Sequence, residues 1–154
     1  MLSLEVMILR KEEIIKFFEQ NNSLVRFLDK DDSEIIIQKI IALTNGDKLH
    51  YLWANFKSDS FVNIKKISCD KDIYIKSLVD SIDFNQMYLI VDGVCFIDSI
   101  ELVIEISKKE LIELLKVYYW ELDEIYILNI QCNRFFSINH NFELSLYEKV
   151  IDSL

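Results

Sequence analysis

Apolar positions along this chain recur with two spacings, one helical and one alternating, and the spacing separates helices from strands. Lys11–Gln20 carries Ile14, Ile15, Phe17 and Phe18 on one stripe, and Asn21-Asn22-Ser23 then stops the helix. Residues 24–28 read as a short strand. Asp31-Asp32-Ser33-Glu34 offers an N-cap acid with a glutamate three residues on. A buried helix over residues 35–43 is therefore expected, closed by Asn45-Gly46 as a left-handed cap. Residues 50–56 and 61–67 read as strands around a turn at 57–60. Residues 70–82 predict a helix with Ile75, Leu78, Val79 and Ile82 on one face.

The second half begins with the sharpest local signal. Apolar residues 87–91 and 94–97 flank Asp92-Gly93, a pair suited to the positive φ values of a type I′ hairpin turn. Residues 100–106 alternate and fit a strand better than a helix. Ser107-Lys108-Lys109-Glu110 matches a capping box, opening a helix through Trp120 with Leu111, Leu114, Leu115 and Tyr118 inward. Residues 124–130, 134–138 and 142–146 form a meander, with turns at Cys132-Asn133 and Asn139-His140-Asn141. Short connections favour antiparallel neighbours. The expected fold is α+β, a largely antiparallel sheet with helices packed on it, in one compact domain over residues 1–154.

Composition supports one sizeable core, since 51% of the 154 residues are apolar and include ten Phe, seven Tyr and two Trp. No apolar run approaches the ~20 residues of a membrane span. Residues 1–9 are apolar but lack a basic leading region, and Arg10-Lys11-Glu12-Glu13 follow, which reads against a signal peptide. Cys69, Cys95 and Cys132 are widely spaced, so neither a disulfide framework nor a thiolate metal site is expected. Together these point to a cytoplasmic protein with reduced thiols. Gly46 and Gly93 stand far apart, which argues against glycine-rich phosphate cradles. No cofactor and no metal are expected.

Charge changes the picture most. Residues 1–75 hold 12 acids and 11 bases, a net of −1, while residues 76–154 hold 14 acids and 6 bases, a net of −8. Between Lys76 and Lys108 no basic residue occurs, and a second base-free stretch runs from Val117 to Asn133. Such a surplus attracts a basic partner and repels nucleic acid and anionic membranes. A solvated acidic face that keeps the protein soluble is the plainer reading.

Candidate chemistry is sparse. Cys132 and His140 lie eight residues apart across an expected hairpin and can be drawn as a dyad, with Asn139 or Asn141 to orient it. His50 sits alone at an expected strand start. Paired carboxylates are uninformative among 26 acids. Tyr118-Tyr119-Trp120, followed by Glu121, Asp123 and Glu124, reads either as core packing at a helix end or as an interface anchor whose carboxylates receive arginine or lysine. The candidate partner-binding residues are Asp80, Asp83, Asp98, Trp120, Glu121, Asp123 and Glu124. No catalytic residue is assigned.

The order of elements over residues 88–146 resembles immunity proteins of bacterial polymorphic and contact-dependent growth inhibition toxin systems. The resemblance rests on Tyr88-Leu89-Ile90-Val91, the helix over residues 108–120, Glu124-Ile125-Tyr126-Ile127 and the Asn139-His140 turn. It implies a stoichiometric inhibitor without chemistry of its own, bound to a cognate protein toxin with a basic nuclease domain. A nucleic-acid-mimicking inhibitor of phage origin and a small enzyme using Cys132 and His140 are the alternatives.

Overall fold

The computed structural model describes residues 11–21, 23–44, 63–67, 71–91, 102–118, 124–141 and 143–150. In chain order these form helix α1 (Lys11–Gln20), strand β1 (Arg26–Phe27), helix α2 (Lys30–Thr44), strand β2 (Asn63–Ile67), helix α3 (Lys71–Ser81), strands β3 (Gln86–Val91) and β4 (Leu102–Ser107), helix α4 (Lys108–Tyr118), and strands β5 (Glu124–Asn129), β6 (Arg134–Asn141) and β7 (Glu143–Val150). The strands make one sheet in the order β1-β4-β3-β5-β6-β7-β2. Every pairing in it is antiparallel. The fold is α+β, as the alternation and the short connections predict.

Alternation sends successive side chains to opposite faces, and here both faces are covered. One cross-strand row runs Ile104, Leu89, Ile127, Phe136. It packs with Ile14 and Phe18 of α1, Tyr74 and Leu78 of α3, Ile82 just past the end of that helix, and Leu111, Leu114 and Leu115 of α4. On the other face Val103, Ile90 and Tyr126 meet Ile36 and Ile40 of α2. Burial on both sides is why residues 87–91 and 125–128 are apolar without a break. Helix α4 joins β4 to β5, which flank β3 on its two sides and so run parallel to each other.

The helix ends follow local chemistry. The capping box is made: the Ser107 N–H donates to Glu110 Oε1 at 3.0 Å, and the Glu110 N–H donates to Ser107 Oγ at 3.3 Å. Helix α2 starts earlier than its acids suggest. The Asp32 N–H donates to Asp29 Oδ1 at 2.8 Å, so Asp29 is the N-cap and Lys30 opens the helix, in place of the cap expected at Asp31. Nor is this helix buried all round, since Ile35 is 54% exposed while Ile36 and Ile40 are in the core. Its expected Asn45-Gly46 cap, the strand at 50–56 and the turn at 57–60 lie outside the described residues.

One expected strand pairing and one expected turn change. The expected pairing of 87–91 with 94–97 finds no edge, because β4 and β5 already occupy both sides of Met87 to Val91. Residues 92–101 themselves lie outside the described residues. Asn139, His140 and Asn141 do not form a turn. They continue β6, opposite Ser145, Leu144 and Glu143. Local polarity suggested a turn there, but the ladder to β7 supplies partners for the backbone and extends the strand.

The β5–β6 turn is held by buried Asn129. Its Oδ1 accepts from the backbone N–H groups of Asn133 and Arg134, both at 2.9 Å, and the Cys132 N–H donates to the Asn129 carbonyl at 2.9 Å. Cys132 takes a left-handed conformation, φ 58°, within this turn. Asn129→Ala removes the acceptor from two backbone donors and should cost about 1–3 kcal/mol. Asn129→Asp retains an acceptor oxygen and should cost less. An unchanged urea midpoint for the alanine variant would contradict this role.

Tyr74 is buried in the larger core, and burial raises its phenol well above the ordinary tyrosine value. The folded state therefore holds this proton more tightly than the unfolded chain does. The stability linked to it is complete below the unfolded value of about 10 and is lost as pH rises above it. In urea titrations at alkaline pH, Tyr74→Phe should show a shallower fall in stability than the parent. Identical slopes would show that Tyr74 does not control the alkaline limb.

Candidate interaction surface

Of the seven candidate residues, Asp80, Asp83 and Glu124 are among the described ones, and they lie at opposite ends of the sheet. Val91, the last residue of β3, is paired on one side with Leu102 and on the other with Ile125. Leu102 follows the segment that contains Asp98, and Glu124 follows the segment that contains Trp120, Glu121 and Asp123. Asp98, Trp120, Glu121 and Asp123 lie outside the described residues. Glu124 opens β5 opposite Asn139 of β6. The described flanks of both segments thus meet at one end of the sheet.

Asp80 and Asp83 belong to the other end. Asp80 is exposed on the last turn of α3, and Asp83 is in the connection from α3 to β3. At this end Met87 pairs with Asn129, four residues from the Val91–Ile125 pair and therefore ~13 Å away along the strands. Asp83 also has an internal partner. It forms an ion pair with Arg134, whose guanidinium lies 5.5 Å from the Phe84 ring centroid and 5.4 Å from that of Phe136. Asp83 remains 75% exposed against 22% for Arg134, so solvent screens the carboxylate while the guanidinium lies against the two rings.

A polar row on the α2 side of the sheet escaped sequence reading. Arg26, Glu105 and Tyr88 are neighbours across β1, β4 and β3. The Arg26 guanidinium lies 2.6 Å from the Glu105 carboxylate and 4.0 Å from Asp32. Desolvation first, and the Glu105 carboxylate second, raise the Tyr88 phenol. Beyond it, Lys39 Nζ lies 3.8 Å from Cys132 Sγ. Alternation within β4 gave the face of Glu105, but no local signal links it to a residue 79 positions earlier.

The drawn dyad is not assembled. Cys132 lies in the turn before Arg134, and His140 lies six residues along β6 from that arginine, roughly 20 Å away at the rise of a strand. Their separation follows from β6 running straight through the expected Asn-His turn. Among the described residues, no group of three or more His, Cys, Asp or Glu side chains is placed to hold a metal ion. No helix among them is long and apolar enough to cross a membrane. No family model, curated protein or solved structure matches the chain in comparison with known proteins.

Proposed function

We propose that this chain is an immunity protein. It binds a cognate protein toxin in the cytoplasm and neutralises it by occupying a basic nuclease domain, with no chemistry, metal or cofactor of its own. The observation that carries this reading is the meeting of Leu102, Val91 and Ile125 at one sheet end, next to two segments free of lysine and arginine. Residues 92–101 contribute Asp92, Asp98 and Glu101, and residues 119–124 contribute Glu121, Asp123 and Glu124. Their shared field favours a basic protein surface and disfavours direct contact with nucleic acid or an anionic membrane. Trp120 supplies an aromatic anchor of the kind that dominates interface energetics. Asp80 and Asp83 are peripheral to this end and act at most through the long-range field.

The test is capture with the tagged, full-length chain from its native cell, at low and moderate salt, followed by mass spectrometry. A basic toxin fragment recovered in equal amount supports the proposal. Recovery of a host defence nuclease instead would favour a nucleic-acid mimic. A folded bait that recovers no partner would overturn the proposal.

A further inference from the structure

We draw no further inference here: the strongest candidate, the polar pocket of about 290 Å³ between the end of α1 and the start of α4, where buried Glu110 leaves Oε2 without a hydrogen-bond partner among the described residues, carries nothing, because that oxygen is itself sealed from solvent, the helix N-terminus and Lys109 oppose a cation, and Glu110 and Glu113 oppose an anion.

Discussion

Phe136→Ala should lower the stability of the fold by about 3–5 kcal/mol, a range typical of a large aromatic side chain removed from a core. Phe136 is fully buried and pairs across the sheet with Ile127. Its ring lies 5.8 Å from that of Phe84 and beneath the Arg134 guanidinium. Truncation therefore opens a cavity in the core shared with α3 and α4 and removes one of the two rings packed against Arg134. A domain of this size has about 5–15 kcal/mol in total, so a substantial share of the molecule's margin is at stake. Phe136→Leu retains much of the volume and loses the ring contacts, and should cost roughly 1–2 kcal/mol. Urea unfolding followed by circular dichroism reads both variants. A cost below about 1 kcal/mol for the alanine variant would mean that this ring does not fill the core.

Asp123→Lys combined with Glu124→Lys should slow association with the proposed basic partner by about tenfold or more at low salt. The two changes move the formal net charge from −9 to −5, since each replaces −1 with +1. Glu124 puts one of the two reversals at the sheet end where Val91, Leu102 and Ile125 meet, and Asp123 is its neighbour in sequence. Folding should be preserved, because Glu124 is the terminal residue of β5 and the core residues Ile125 to Leu128 are untouched. Asp80→Lys, at the opposite end, is the control and should slow association less. Raising salt should bring the variants together, because the Debye length shortens from about 10 Å at 0.1 M to about 3 Å at 1 M. Equal slowing by Asp80→Lys would place the interface elsewhere. Unchanged kinetics for the double variant would remove the charge argument altogether.

Much of the secondary structure was legible because its causes are local. The capping box needs only Ser107 and Glu110 three residues apart, and the structure forms both of its bonds. Lys11–Gln20 is a helix over the span its stripe predicts, and α3 falls within one residue of its expected limits. The alternation of residues 100–106 correctly placed β4, since period two is visible within a single segment. Where two local signals compete, the sequence is a weaker guide. Asp29 and Asp31 are both able to cap a helix, and the hydrogen bond to the Asp32 N–H selects Asp29.

The chain by itself determined the α+β class, the main helices and the excess of acid in its second half. Tertiary structure decided which strands are neighbours. Asp92-Gly93 is a sound hairpin signal, yet β3 has β4 on one side and β5 on the other, a choice that depends on burying both faces of the sheet at once. The same choice separates Asp80 and Asp83 from Glu124, gives Asp83 to Arg134, and draws Cys132 away from His140. Charge counts are additive along a sequence and are read directly. Proximity is set by pairing partners far apart in the chain, as with Arg26 and Glu105, and only the folded sheet contains that information.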